Sequence, residues 1–285
     1  CALPICFDDE VTRFMLWRNL MDPYAREWQN ECGRWDLLDV VRAARALRPD
    51  GIEWPRGEQG KASFKLGDMT QANGLPHESA HDAMSDVKAT LELARLIRLR
   101  QPRLFDFCYA LHSKQRVAQE LGLPTSAQEA RPFLHVSGMF PVEHGCLALM
   151  WPLAMHPVNR NELLAWDLRF NPGELADLNA ERIRVRLFTR QSDLPEGVTR
   201  LPVKSVHLNR SPMVFSNLKV LNPAMAEQWR IDLPQQLAHA AVARDLPDMS
   251  AIWSEVYARD AVPVVDDVED RKSTRLNSSH QIISY

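Results

Sequence analysis

The chain has 285 residues, a formal net charge of −3, 45% apolar residues and 25% charged residues, a composition typical of a globular protein. No apolar run approaches the roughly 20 residues that a membrane-spanning helix needs, so the sequence predicts no such helix. The near balance of charge excludes the binding of an anionic ligand by bulk charge, and a local basic patch would have to hold one.

The cysteines argue against a zinc site. They are odd in number and form no C-x-x-C pair: Cys1, Cys6, Cys32, Cys108 and Cys146. This pattern is typical of reduced thiols and argues against a zinc site, so we predict a cytoplasmic protein. The Ser- and Asn-rich end at 271–285 has no clear period, and we predict a non-native tail there, with an ordinary frayed terminus as the alternative.

The spacing of apolar residues predicts five helical segments in the first 125 residues. They are expected at 8–21, at 35–47, at 63–74, from His81 to about Arg100 and at 104–122. Pro23 is expected to end the first segment because a proline ring cannot continue a helix. Pro49 and Gly74 are expected to end the second and third segments.

Beyond Pro124 the composition changes to short β-type runs separated by clusters of Pro, Asn and Gly. The runs are at 133–140, 146–155, 163–170, 203–208 and 212–216. A helix is predicted among them near 174–189, and two more are predicted at 234–246 and 249–260. The sequence therefore predicts a small β-rich domain, roughly at 130–220, between two helical segments.

The segment HDAMSDV at 81–87 opens the fourth helical segment with a histidine and two acids. The free backbone N–H groups of a first turn favour an acid, which explains Asp82 without any function. Asp86 is one turn further along, near the face expected to be buried, where a carboxylate is costly unless it is paired or bound to metal. His81 is able to point into a cleft, although a lone histidine is more often a surface or core residue.

A second acid at a predicted helix start, Asp8 in the segment FDDE, would share a divalent cation with Asp86. Mg²⁺ prefers hard oxygen ligands and keeps several waters, so two or three carboxylates are enough. A histidine near such a pair is a candidate general base because its ordinary pKa is close to neutrality. A metal and a base together are the groups needed to hydrolyse a phosphodiester.

Seven motifs in order carry a family resemblance: FDDEVTR, DPYAREW, RWDLLDVVRAARALRP, HDAMSDV, LRQPRLFD, FLHVSGMF and HPVNRN. Together they resemble the bacterial exodeoxyribonuclease I family, whose members are DEDDh-type 3′→5′ exonucleases. The resemblance extends over about residues 7–265. The ordered set is highly specific, whereas H-D-A-x-x-D alone is moderately so.

The resemblance implies an α/β fold class. The implied parts are a ribonuclease H-like exonuclease domain truncated at its N-terminus (7–125), an SH3-like β-rich domain (130–230) and the start of a helical domain (231–268), followed by the tail at 271–285. The family's first motif, a D-x-E on the first strand, is not found in the sequence. We therefore expect the first strands of the central sheet, and two of the four acids of the site, to be absent.

The implied activity is metal-dependent 3′→5′ degradation of single-stranded DNA to mononucleotides in DNA repair and recombination, with Mg²⁺ or Mn²⁺ as the metal. By resemblance, Asp8 and Asp86 bind metal, and His81 is the base that deprotonates the attacking water. Because the D-x-E acids are absent, we expect this chain made alone to be inactive.

A strand held without sequence preference needs cations for its phosphates and aromatic faces for its bases. The segment 22–35 interleaves the two types, with Arg26 and Arg34 among its cations. Trp35 is expected in the core, and Arg26 is expected to be a solvated charge. The resemblance implies these DNA-binding residues: Arg13, Tyr24, Trp28, Arg42, Lys65, Lys114, His156, Arg160, His207 and Arg210. It also implies single-strand DNA-binding protein as a partner, and we expect a monomer.

Two alternatives stay open. The dipeptide His81-Asp82 also marks HD-type phosphohydrolases, but their all-helical fold needs an earlier histidine than His77 and has no place for the β runs after residue 130. The second alternative is a non-catalytic nucleic-acid-binding or interaction module, in which His81 and Asp86 only satisfy groups at the helix start.

Overall fold

A computed structural model of the chain describes residues 5–27, 29–31, 33–57, 60–76, 83–124 and 129–258. Trp28, His81 and the predicted tail at 271–285 lie outside these ranges, and the side chain of Asp8 is not described. No helix within the ranges has both the length and the hydropathy of a membrane span.

The first half of the described chain is helical. Its helices are α1 (Ile5–Arg18), α2 (Leu37–Leu47), α3 (Leu66–Ala72), α4 (Ala83–Arg100), α5 (Pro102–Ala110) and α6 (Lys114–Leu121). The helices predicted at 35–47, at 63–74 and up to Arg100 are confirmed. The described residues before Pro124 form no sheet strand, and their β structure is an isolated antiparallel bridge between Arg56 and Ala62.

Local capping groups set several of these helix ends. At the start of α2, Oδ1 of Asp36 accepts a hydrogen bond from the backbone N–H of Leu38 at 2.9 Å. Ser113 precedes α6, and its Oγ accepts from the N–H of Arg116. Gly122 follows α6 with a φ of 67°, a left-handed conformation that glycine adopts at little cost. Such signals are local in sequence, so these helix ends are predictable without the fold.

Two predicted helix ends are wrong. Helix α1 ends at Arg18 and does not continue to residue 21, because Leu20 adopts a φ of 58°, outside the right-handed helical region. The single helix predicted at 104–122 is two helices, because the chain leaves helical geometry after Ala110 and Ser113 caps a new start. These two helices therefore end at short turns that contain no proline.

The second half contains one five-stranded antiparallel sheet. Its strands are β1 (Phe133–Val136), β2 (Leu147–Met155), β3 (Glu162–Asp167), β4 (Val203–His207) and β5 (Met213–Phe215), in the order β4-β3-β2-β1-β5. Each predicted β run contains one strand, and α7 (Ala180–Phe188) lies between β3 and β4 as predicted. All six residues of β3 are buried, so this strand lies at the centre of the core.

Three helices follow the sheet: α8 (Pro223–Gln228), α9 (Leu233–Arg244) and α10 (Ser250–Val256). The indole Nε1 of Trp229, just after α8, donates a hydrogen bond to the carbonyl of Ala46 in α2 at 2.9 Å. Nη1 of Arg48 donates to the carbonyl of Val220 at 2.9 Å. These bonds join the helical half to the C-terminal half, and the buried apolar side chains of both halves form one core.

Helices α1 and α4 each have exposed apolar side chains at helical spacing. These residues are between 52% and 61% exposed: Val11, Met15, Met84, Val87 and Leu91. Asp86 lies between two of them and is half-buried. Ala89 and Leu93 of α4 are buried and lie three and seven residues beyond Asp86, so Asp86 borders the buried face of the helix as expected.

His135 on β1 is a buried histidine with a structural role. It is 8% exposed, and its Nδ1 donates a hydrogen bond to the carbonyl of Met213 on β5 at 3.1 Å. Burial lowers the pKa of His135, and the positive charge of Lys204 lowers it further, against the opposing effects of this hydrogen bond and of Asp39. The folded protein therefore keeps this imidazole neutral at a pH where the unfolded chain protonates it.

We expect acid to destabilise the fold through His135. As the pH falls below about 6.5, the unfolded state takes up a proton that the folded state does not, so the free energy of unfolding decreases by about 1 kcal/mol per pH unit. Urea unfolding at neutral and mildly acidic pH measures this decrease. A His135→Gln variant should show a smaller pH dependence than the wild type, and an equal dependence in both would contradict the assignment.

Candidate nucleic-acid interface

The loops that follow β2 and β4 lie side by side at one end of the sheet. Glu162, the first residue of β3, pairs in register with His207, the last residue of β4. The N–H of His156 donates to the carbonyl of Glu162 at 2.9 Å, and the N–H of Leu208 donates to the carbonyl of Asn161 at 2.8 Å. The register of β3 and β4 thus brings the segments HPVNRN (156–161) and VHLNRSP (206–212) together.

His156 organises the first of these loops. Its Nδ1 accepts hydrogen bonds from the backbone N–H groups of Val158 at 3.1 Å and Asn159 at 3.0 Å. Because this nitrogen accepts, a neutral ring carries its proton on Nε2. The imidazole also packs against the ring of Tyr257, with 4.1 Å between the centroids. The loop conformation and the aromatic contact together fix the position of the imidazole.

A buried carboxylate lies beneath both loops. Glu162 is 3% exposed, and its Oε1 accepts a hydrogen bond from Nδ2 of Asn159 at 2.5 Å. The same oxygen lies 3.5 Å from Nδ1 of His207. Burial raises the pKa of the nearby Tyr257 to about 12, and the charge of Glu162 contributes to this rise. Glu162 therefore links the two loops through polar contacts in a region with little water.

Several charges surround His207. Burial lowers the pKa of this imidazole, Glu162 opposes that effect, and the neighbouring Arg210, His156 and Arg34 lower the pKa further. The net shift is downward, so His207 is neutral at pH 7. A phosphate bound beside it would supply negative charge and favour its protonation.

Two more cations join the loops from the helical half. Nζ of Lys114, the first residue of α6, donates to Oδ1 of Asn161. Oγ of Ser211 donates to the carbonyl of Arg34 at 2.6 Å, which holds Arg34 beside the second loop. We name the resulting group the basic loop cluster: Arg34, Lys114, His156, Arg160, His207 and Arg210. Arg34 is absent from the predicted binding residues, although its position in the segment 22–35 was a signal for it.

Arg42 lies outside the basic loop cluster. A cavity of about 130 Å³ extends from the cluster to α2 and is lined on that side by Asp39. Nη1 of Arg42 donates to Oδ1 of Asp39 at 2.6 Å. The guanidinium also packs on Gly138, where a Cβ atom would lie 2.7 Å from Cζ of Arg42. Contacts within the protein thus hold Arg42 in place.

Arg13 and Tyr24 form a second, separate group. Nε and Nη2 of Arg13 donate to the two carboxylate oxygens of Glu27, each at 2.7 Å. The guanidinium carbon lies 4.9 Å from the centroid of the Tyr24 ring. A phosphate would compete with Glu27 for Arg13, so this group is a weaker anion site than the cluster. Lys65 is exposed just before α3 and belongs to neither group.

The predicted catalytic residues are described only in part. Asp86 lies in the first turn of α4, and Asp8 lies near the start of α1. His81, the predicted base, is outside the described residues. In the ranges that the structure describes, no three or more side chains of His, Cys, Asp or Glu are grouped to hold a metal ion. These ranges alone therefore do not present a metal centre around Asp86.

The sheet, its basic loops and the flanking helices define the class of protein. Residues 112–259, just over half of the chain, match the family described as the exonuclease I SH3-like domain. The chain therefore belongs to the exonuclease I family, as its motifs predicted.

Particular relatives agree with this class. Exodeoxyribonuclease I of Escherichia coli (strain K12) is 42% identical over 252 residues, which are 88% of this chain and 52% of that protein. A moderately thermophilic exonuclease I from Methylocaldum szegediense has a TM-score of 0.82 and 41% identity, covering 94% of this chain and 57% of the other. Exonuclease I of E. coli in complex with a dT13 oligonucleotide has a TM-score of 0.81 and 37% identity, covering 95% and 59%.

The chain spans about half the length of the curated relatives it matches. Other similar solved structures are a zinc-ion-bound form of the E. coli exonuclease I complex with single-stranded DNA and a complex of exonuclease I with SSB-Ct. The resemblance read from the motifs is thus confirmed for the family.

Proposed function

We propose that this chain binds single-stranded DNA through the basic loop cluster, as part of a metal-dependent 3′→5′ exonuclease that degrades the strand to mononucleotides. The observation that carries the proposal is the convergence of six basic side chains, five of them predicted, at one end of the sheet. A relative with 37% identity is an exonuclease I in complex with a dT13 oligonucleotide, which supports a DNA oligonucleotide as the ligand.

The chemistry of the basic loop cluster suits a phosphate backbone. Arginine and lysine bind phosphates regardless of base sequence, and their contacts displace condensed counterions. Glu162 lies 3.5 Å from His207, and Asn159 donates to it at 2.5 Å. This buried acid is engaged within the loops, so the net charge that the cluster presents to a ligand is positive.

We further propose that Asp8 and Asp86 bind a divalent cation, Mg²⁺ or Mn²⁺, with His81 as the base that removes a proton from water. The bound metal would supply Lewis-acid activation of the phosphodiester. The proposed setting of these residues is a ribonuclease H-like domain. The resemblance implies four acids at such a site, so a chain that supplies two of them is expected to bind DNA and not to cleave it.

The proposed cellular role is DNA repair and recombination in the cytoplasm, with single-strand DNA-binding protein as a partner. The support for this partner is the similarity to a solved complex of exonuclease I with SSB-Ct. Co-migration of the chain with purified single-strand DNA-binding protein in size-exclusion chromatography would test the interaction.

The decisive experiment for catalysis is nucleotide release from 3′-labelled single-stranded DNA in the presence of Mg²⁺. The chain is assayed beside a form extended upstream to include a D-x-E segment, and beside a His81→Ala copy of the extended form. Activity in the extended form alone, reduced at least about 100-fold by His81→Ala, is the expected result. Activity of the 285-residue chain itself would contradict the proposed need for more acids, and activity in none would favour a binding module.

A further inference from the structure

A second basic pocket lies away from the basic loop cluster. It is a cavity of about 420 Å³ between α2, described residues of 49–57 and 60–62, and Trp229 after α8. Its charged and aromatic lining consists of Arg45, Trp54, Arg56, Lys61, Glu143 and Trp229. The pocket shares no residue with the cluster, so its ligand is a question separate from the proposed DNA site.

Arg45 is the most constrained cation of the pocket. Its guanidinium carbon lies 4.9 Å from the ring centroid of Trp229 and 5.8 Å from that of Phe64. Its Nη1 is buried and makes no hydrogen bond. Burial lowers the pKa of Arg45, and the charge of Arg56 lowers it further, so the two guanidinium groups repel each other across the cavity. This nitrogen is too deeply buried to meet a ligand directly, and an anion in the cavity would pair with the accessible part of the half-buried guanidinium.

The segment at 55–63 presents the other two cations. An antiparallel bridge pairs Arg56 with Ala62, and the N–H of Gly57 donates to the carbonyl of Lys61 at 2.8 Å. The bridge and this hydrogen bond hold Arg56 and Lys61 close together on the rim of the cavity. Lys61 also forms an ion pair with Glu143, with 2.6 Å between Nζ and Oε1.

The charge and the surfaces of the pocket define a ligand class. Three cations and one acid among the described lining residues leave an excess of two positive charges. A phosphate monoester carries a charge of about −1.5 to −2 near pH 7, which matches this excess. The indole N–H groups of Trp54 and Trp229 already donate to the carbonyls of Pro49 and Ala46, each at 2.9 Å. Trp54 is half-buried and offers apolar surface to a ligand, whereas the Trp229 ring is 4% exposed and packs against Arg45 and Gly145.

We propose that this pocket binds a phosphate monoester that carries a planar aromatic group, which is the chemistry of a nucleoside monophosphate. The phosphate pairs with Arg45 and Arg56, and the planar group packs against the indole of Trp54. Inorganic phosphate shares the anionic part of this chemistry, and a nucleoside shares the aromatic part, so the two serve as separate probes.

The proposal is tested by isothermal titration calorimetry of the 285-residue chain with three ligands in turn: deoxyadenosine 5′-monophosphate, inorganic phosphate and deoxyadenosine. Saturable binding of the monophosphate, with weaker binding of phosphate and weaker still of the nucleoside, is the expected order. Equal affinity for phosphate and for the monophosphate would overturn the aromatic part of the site, and the absence of saturable binding at millimolar concentration would overturn the whole.

Three variants locate the binding. Arg56→Gln removes one exposed cation and should weaken the binding of the monophosphate about 10-fold, because a charge-assisted hydrogen bond is lost. Glu143→Gln removes the only acid of the described lining and should tighten binding about 3-fold. Arg210→Gln, in the basic loop cluster, should leave it unchanged.

Both pocket substitutions are at exposed positions, and thermal unfolding verifies that the fold is kept. Weakening by Arg210→Gln with no effect of Arg56→Gln would assign the phosphate to the cluster and overturn the pocket. Binding of single-stranded DNA by Arg56→Gln should equal that of the wild type, which separates a failure of this proposal from a failure of the proposed function.

Discussion

A triple variant, Lys114→Gln, Arg160→Gln and Arg210→Gln, is expected to bind single-stranded DNA on the order of 100-fold more weakly than the wild type at low salt. The three side chains come from α6 and from the two loops that the β3–β4 register brings together. Each neutralised phosphate on a single strand contributes about 0.7 to the slope of log K against log salt, so the slope should fall by about 2. Fluorescence anisotropy with a labelled oligothymidylate across a salt series measures both quantities.

The matched control replaces three exposed arginines outside the cluster: Arg95→Gln, Arg190→Gln and Arg244→Gln. It removes the same charge from the chain, so a general effect of net charge would appear equally in both variants. We expect the control to keep the wild-type slope. Equal losses in the two triple variants would mean that DNA follows bulk charge and that the basic loop cluster is not the interface.

Replacement of Trp166 by alanine is expected to lower the free energy of unfolding by about 4 kcal/mol. Trp166 lies on the inner strand β3, is 0% exposed, and pairs in register with Trp151 on β2 and Val203 on β4. Its Nε1 donates to the carbonyl of Phe170 at 2.8 Å. The substitution removes a large buried surface and leaves a cavity that a strand paired on both sides is unable to close. The melting temperature should fall by about 10 °C or more.

Two variants separate the contributions at this position. Trp166→Phe keeps most of the buried ring and should cost about 1–2 kcal/mol, because it loses the hydrogen bond and part of the volume. Phe170→Ala truncates a ring that is 53% exposed while keeping the carbonyl, and should change stability by about 0.5 kcal/mol or less. If the melting temperature of Trp166→Ala is as high as that of Phe170→Ala, Trp166 does not lie at the centre of the core.

Much of the fold was predictable because its signals are short-range. The caps at Asp36, Ser113 and Gly122 act within four residues, and apolar spacing within each segment marks α2 and the five strands. The misplaced end of α1 shows the limit of such signals, because the left-handed Leu20 has no proline or glycine to mark it. Family membership was equally predictable, because the ordered motifs are recognised in the sequence without knowledge of the fold.

Most of the helices and strands, the family and five of the six members of the basic loop cluster follow from local patterns in the sequence. Which of these cations lie together depends on the packing of distant segments. The pairing of Glu162 with His207 joins the two loops, and the bond from Ser211 adds Arg34 across 177 positions of the chain. The same long-range packing pairs Arg13 with Glu27 and buries Nη1 of Arg45 without a hydrogen bond. Charge pairing depends on distances of a few ångströms between remote segments, and strand register and helix packing set those distances.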